Sequence, residues 1–255
     1  AVNLGWGVDR ALARLGDGAD AVLAEAHAVL AEQVACCRAV AERGADIVEE
    51  LVNDLTRPAH GGDPSARLRI LTHCNTGWLA CVEWGTALGV VRVLHDRGRL
   101  ARVYADETRP LLQGARLTSY ELTQMGVDHR VVVDSAGPTV LARGLADAVL
   151  VGADRVAANG DVVNKIGTYP LALAAARAGV PFVVAAPEST VDAGTATGAD
   201  VPIEERDAEE VLSFAGRATT PTGAGAYNPA FDVTPADLVT AIVTDRRVIR
   251  PASGH

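Results

Sequence analysis

Aromatic residues make up only 4% of this 255-residue chain, and it has a single methionine. Its core must therefore be filled mostly by Ala, Val and Leu, residues that suit close packing of helices on a sheet. No stretch approaches the ~18 apolar residues of a membrane span. The opening, Ala1-Val-Asn-Leu-Gly-Trp-Gly-Val-Asp-Arg10, lacks the charged and apolar regions of a signal peptide. Basic residues are also scarce: 23 Lys and Arg face 32 Asp and Glu, a net charge of −9. That balance argues against nucleic acid as the main partner, since phosphate contacts need clustered cations. The four cysteines, Cys36, Cys37, Cys74 and Cys81, include no CxxC pair and no Cys/His spacing typical of zinc. Two are adjacent, in a chain far larger than a stapled secreted domain, so they read as reduced thiols of a cytosolic protein. A dinucleotide fingerprint, a P-loop and a GxSxG nucleophile elbow are all missing.

What is present is a long helical pattern followed by alternation. The length suggests one large domain, or one domain with an appended helical segment. Over residues 1–56, Leu12, Leu15, Val22, Leu23, Ala26, Leu30, Val34 and Cys37 recur mostly at helical spacings. Residues 56–65 are rich in turn formers and predict a linker. From Arg67 onward short apolar runs at 68–72, 102–105, 130–133, 148–152 and 181–186 predict strands. Between them, residues 78–97, 113–125, 139–144 and 164–178 predict helices. Continuous apolar strands separated by helices predict an α/β fold, a Rossmann-like open parallel sheet with helices on both faces, preceded by an N-terminal helical segment. The expected division is 1–56 for that segment and 67–255 for the α/β unit. In the tail, Thr234 and Pro235 suit the start of a helix over 234–242, and Val248-Ile249 a last strand.

Chemistry concentrates at the predicted strand ends. Cys74, in Thr72-His-Cys-Asn-Thr-Gly77, sits between the first strand and the predicted helix. Helix N–H groups and the helix dipole there can lower a thiol pKa or hold a phosphate. Tyr104-Ala-Asp-Glu-Thr-Arg-Pro110 and Gln113 form either a salt-bridged helix cap or a ligand loop. Asp134 reads best as an N-cap. Asp154 ends an apolar strand, where a dry carboxyl can have a raised pKa and act as acid or base. Asn164 and Lys165 open the predicted helix at 164–178, where an amide, an ammonium and free N–H groups suit a phosphate or a sugar hydroxyl. One thiol, one acid, one lysine and several amides at one sheet edge suit proton transfer on a small phosphorylated polyol, with no metal and no redox cofactor.

Several of these stretches are long enough to identify a relative. Thr72-His-Cys-Asn-Thr-Gly77, Gln113-Gly-Ala-Arg-Leu-Thr118, Gly152-Ala-Asp-Arg-Val-Ala-Ala-Asn-Gly-Asp161, Asn164-Lys-Ile-Gly-Thr-Tyr169 and Pro202-Ile-Glu-Glu-Arg206 closely resemble the methylthioribose-1-phosphate isomerase family. That family is related to ribose-1,5-bisphosphate isomerases and to regulatory subunits of the translation-initiation exchange factor. The resemblance implies a cytoplasmic, homodimeric methionine-salvage enzyme that needs no cofactor. It would turn 5-methylthioribose 1-phosphate into 5-methylthioribulose 1-phosphate. It further implies Cys74 and Asp154 as the catalytic pair, with Asp154 the proton donor, and Gln113, Asn164 and Lys165 as substrate-binding residues. His73-Cys74 together with Asp154 favours catalysis over a regulatory, sugar-phosphate-sensing role. An isomerase of another pentose phosphate is the remaining alternative. The family also carries an N-terminal domain with an Arg-Gly-Ala-Pro loop that grips the substrate, and by the resemblance this sequence is expected to lack it.

Overall fold

The structure, a computed structural model, describes residues 1–54 and 66–251. The linker expected at 56–65 lies outside the described residues. Two helices lead the chain, α1 (Val2–Leu12) and α2 (Ala19–Asn53). Thirty-five residues make α2 roughly 52 Å long at 1.5 Å per residue. Its first half leaves Leu23 and Leu30 exposed. Its second half buries Val40, Ala41, Ala45 and Val48 against the sheet layer.

The strands are β1 (Leu68–Thr72), β2 (Leu100–Asp106), β3 (His129–Val132), β4 (Ala148–Val151), β5 (Arg155–Ala157), β6 (Val162–Lys165), β7 (Phe182–Ala185), β8 (Val191–Asp192), β9 (Ser213–Phe214), β10 (Arg217–Ala218), β11 (Phe231–Thr234), β12 (Ala241–Val243) and β13 (Val248–Ile249). The further helices that matter here are α3 (Ala87–Asp96), α4 (Ser119–Gln124), α5 (Gly137–Ala142) and α6 (Thr168–Ala178). Seven strands form the main sheet in the order β13-β12-β7-β4-β1-β2-β3, parallel except for β13. The α/β, Rossmann-like architecture read from the sequence is therefore present. Successive strand residues point to opposite faces. Ile70, Ala148, Leu150 and Val183 join a core with α2 and α3, while Leu71, Val149, Val151 and Val184 join one with α5 and α6. Burial on both faces is why these strands carry no polar alternation.

The chain runs from β1 outward to β2 and β3, then returns to place β4 on the other side of β1. Strand order thus reverses between β1 and β4, and ligands of open α/β sheets bind at the carboxyl ends of such a pair.

Four local expectations are corrected. The helix expected over 78–97 begins only at Ala87; a three-residue turn at Val82–Trp84 precedes it, with Val82 and Glu83 at positive φ. The buried Glu121 carboxylate accepts the N–H groups of Trp78 and Leu79 (2.9 and 3.2 Å), which holds that segment in a loop. Asn164 and Lys165 end strand β6 and open no helix. Gly167, at φ 106°, turns the chain, and the Asp232 carboxylate accepts the Gly167 and Tyr169 N–H groups, so α6 starts at Thr168. The helix expected over 234–242 is replaced by the end of β11, a short turn at Ala236–Leu238 and strand β12. The Asp161 carboxylate captures the Ala236 N–H, and Ile242 pairs with Val184 of β7. Asp134 makes no cap bond to its own helical turn. A second sheet, β11-β6-β5-β8, and the small β9-β10 ladder were not foreseen.

Candidate active site at the strand-order reversal

A cavity of about 550 Å³ opens at the carboxyl ends of β1 and β4. Cys74 follows β1 and Asp154 follows β4, and both line it together with Gln113, Asn164 and Lys165. Cys74, Gln113, Asp154, Asn164 and Lys165 therefore line one cavity. Gly152 lets the two loops meet: a Cβ at that position would lie 2.2 Å from Thr76 Cγ2.

The Cys74 backbone is in the left-handed region (φ 62°), as are Thr108 (φ 63°) and Leu112 (φ 59°) nearby. Each such residue costs on the order of 1–3 kcal/mol, tolerated only where the surroundings hold it. Here the Thr108 hydroxyl accepts the Cys74 N–H (2.9 Å), and the Thr118 hydroxyl donates to the Cys74 carbonyl (2.6 Å). Thr108 is fixed in turn by Asp134, whose two carboxylate oxygens accept the Thr108 and Arg109 N–H groups at 2.7 Å each. The true task of Asp134 is to brace this loop.

The thiol does not behave as the sequence suggested. The helix expected to follow it does not present its N-terminus to the sulfur, because α3 starts 13 positions later. Burial pushes its pKa up to about 11, opposed by the Asn75 N–H and Lys165 and aided by Asp154. Cys74 is therefore a neutral thiol at pH 7. The Asp154 side chain is about one-third exposed (31%). Burial raises its pKa above its ordinary value, against the pull of Lys165. Both groups thus lean toward holding protons.

Lys165 is buried, and among the described residues its ammonium has no hydrogen-bond or ion-pair partner; the Phe231 ring lies 5.9 Å away, and the carboxyl groups of Asp154 and Glu210 feel its charge. An unpaired buried cation facing a cavity is poised for an anion. Gln113 Oε1 is likewise buried without a partner, and Asn164 Nδ2 donates to Thr168 Oγ1 (3.0 Å). Sequence reasoning missed Thr190, whose buried hydroxyl is unpartnered on the same wall, and the wall residues Trp6, Cys37 and Cys81. A single Thr or Cys carries no pattern that would mark it. Arg206 also reaches the wall, but Glu210 holds its guanidinium (2.6 Å).

His73, Asp106 and Asp134 bring potential metal-ligand atoms within 4.8 Å of one another. All but one of their ligand atoms are already hydrogen-bonded. His73 Nδ1 meets Asp106 Oδ2 and its Nε2 meets the Ile166 carbonyl, while Asp134 serves two backbone N–H groups. Only Asp106 Oδ1 is left over in that set.

Fold and cavity define a class: α/β proteins that take a small ligand at the carboxyl edge of a parallel sheet, here with an acid, a thiol and an unpaired cation on the wall. The Initiation factor 2 subunit family matches residues 1–251, and the chain belongs to that family. It is 58% identical over 249 residues to a protein of Nocardia farcinica named a probable bifunctional methylthioribose-1-phosphate isomerase/methylthioribulose-1-phosphate dehydratase. That match covers 98% of this chain and 43% of the relative. It is 54% identical to the methylthioribose-1-phosphate isomerase of Anaeromyxobacter sp. (strain K), covering 98% of this chain and 69% of that one. Among solved structures, the 5-methylthioribose 1-phosphate isomerase of Pyrococcus horikoshii OT3 superposes with a TM-score of 0.86 at 40% identity, over 98% of this chain and 67% of that one. The translation initiation factor eIF-2B subunit delta of A. fulgidus gives 0.83 at 42% identity, over 98% and 70%. The chain thus spans less than half of the bifunctional relative and about two thirds of the others.

Proposed function

We propose that this chain carries the active site of an aldose–ketose isomerase that converts 5-methylthioribose 1-phosphate into 5-methylthioribulose 1-phosphate in methionine salvage. What supports the reading most is that Cys74, Asp154, Gln113, Asn164 and Lys165 line one cavity. The names of relatives 48–58% identical to the chain point the same way.

The chemical difficulty is specific. The substrate's anomeric carbon carries the phosphate, so its ring cannot open spontaneously to an aldehyde. An acid must protonate the ring oxygen, and the carboxyl with a raised pKa, Asp154, is that donor. As the bond from C1 to the ring oxygen breaks, hydrogen moves from C2 to C1, and the C2 hydroxyl returns its proton to the Asp154 carboxylate as the ketone forms. Substrate and product are isomers, so the reaction needs no external oxidant or reductant. The neutral Cys74 thiol donates a hydrogen bond to the oxygen on which charge develops. Lys165 offsets the phosphate charge, and Gln113 and Asn164 bind hydroxyls. The apolar part of the cavity limits water around the intermediate. In this reading residues 67–255 are the catalytic α/β unit, residues 1–56 lead into it, and the protein is a cytoplasmic homodimer, as the family resemblance implies.

The test is incubation of the full-length protein, and of Asp154→Asn and Cys74→Ala, with 5-methylthioribose 1-phosphate, reading ketose formation. Wild type converts the sugar. Each variant loses about 10²–10⁴-fold in kcat, the usual worth of a positioned acid or an oxyanion donor. Near-wild-type turnover in either variant overturns that residue's role. Binding by wild type without conversion favours a sensor on the same fold.

A further inference from the structure

We propose that His73 and Asp106 are positioning residues for the Cys74 thiol, linking its turn to the strand that carries Asn164 and Lys165. This goes beyond the isomerase reading but rests on it. The link is a buried line of hydrogen bonds. Asp106, the last residue of β2, places Oδ2 2.9 Å from His73 Nδ1. On the other side of the ring, His73 Nε2 lies 2.7 Å from the carbonyl oxygen of Ile166. A carbonyl only accepts, so Nε2 carries a hydrogen and donates it. A single proton then occupies the Nδ1–Oδ2 bond.

Three elements meet in that line: the exit of β1, the end of β2 and the exit of β6. His73 directly precedes Cys74, and Ile166 directly follows Lys165. The ring has no slack, being 2% exposed with Asp106 at 1%. A Cβ on Gly167 would fall 2.6 Å from His73 Cε1. The other charged groups around the ring are committed elsewhere: Asp134 to the Thr108 and Arg109 N–H groups, and Asp232 to those of Gly167 and Tyr169. His73 itself does not line the cavity. Its effect on chemistry must pass through the thiol on one side and the Asn164-Lys165 pair on the other. Misplacing a reacting group by about 1 Å costs on the order of 100-fold in rate.

The variants Asp106→Leu, His73→Gln and Asp106→Asn of the full-length protein separate geometry from charge. The amide of Asp106→Asn can donate to Nδ1 while Nε2–H stays on Ile166, so the line survives without its negative charge. Asp106→Leu breaks it. His73→Gln can reach only one of the two partners. Two readouts are taken: kcat and KM for 5-methylthioribose 1-phosphate, and the rate of Cys74 alkylation by iodoacetamide at pH 9, followed by peptide mass spectrometry. The expected result is about a 100-fold loss of kcat in Asp106→Leu and about tenfold or more in His73→Gln, with KM within about threefold. Asp106→Asn stays within about fivefold of wild type, and Cys74 alkylation shifts severalfold only in the two disruptive variants. Wild-type kcat in Asp106→Leu overturns the proposal. So does an equal loss in Asp106→Asn, which would assign the effect to charge. If Asp106→Leu fails to fold by circular dichroism, His73→Gln decides, and its full activity overturns the proposal. If wild type converts no sugar while the alkylation rates still separate the variants, positioning stands and the isomerase reading falls.

Discussion

Titrating the protein with iodoacetamide between pH 7 and pH 10 tests whether Cys74 is a neutral thiol. Burial places its pKa at about 11. At pH 7 the thiolate fraction is then about 10⁻⁴, against about 10⁻² for a thiol of pKa 9. A more basic thiolate is also a better nucleophile, with a Brønsted slope of about 0.45, so a two-unit rise returns roughly eightfold. The net expectation is alkylation about tenfold slower at pH 7 than for an exposed cysteine. The pH profile is more diagnostic than the rate itself. The logarithm of the Cys74 rate should climb with unit slope to pH 10 without a plateau, whereas an exposed thiol levels off near pH 9. Lys165→Met should push the curve further up, because the ammonium stabilises the thiolate. Asp154→Asn should draw it down, since the carboxylate opposes ionisation. A plateau at or below pH 8 would refute the burial argument. It would also make Cys74 a candidate base, with the hydrogen-bond role then wrong.

Two further outcomes follow from packing and from linked protons. Gly44 of α2 lies against α3 so closely that an added Cβ would sit 2.4 Å from Val90 Cγ2; Gly44→Ala should destabilise by about 1–3 kcal/mol through overpacking. Val90→Ala in the same molecule should recover part of that loss, and thermal denaturation showing no recovery would sink the contact argument. Burial raises the Asp106 carboxyl to about 6, opposed by its bond to His73. At His73 burial works downward, but the bond to Asp106 wins and raises its pKa. The folded pair therefore binds more protons than the unfolded one, so its stabilisation is complete below about pH 4, declines as pH rises through about 6 as Asp106 ionises, and declines further above 6.5 as His73 gives up its proton. Asp106→Asn removes the titrating carboxyl and should flatten that part of the Tm–pH profile relative to wild type; parallel profiles would contradict the sign.

The amino-acid sequence by itself determined the elements whose signal is local. The apolar runs of β1, β4 and β7 are legible because strands buried on both faces need no polar alternation. The placement of Cys74 and Asp154 at the cavity was legible because both follow such runs, and a chain leaving a parallel strand enters the crevice. Tertiary structure decided what depends on partners distant in sequence. Nothing near Trp78 announces that Glu121, 43 positions on, will take its N–H and keep it from a helix. Nothing near Lys165 announces that β11 will pair with its segment and make it a strand. The protonation of Cys74 belongs to the same category. A thiol at the start of a helix and a thiol half-buried at a cavity wall read alike in one dimension, but their pKa values move in opposite directions. Burial is a property of the assembled chain, and only the fold could set it.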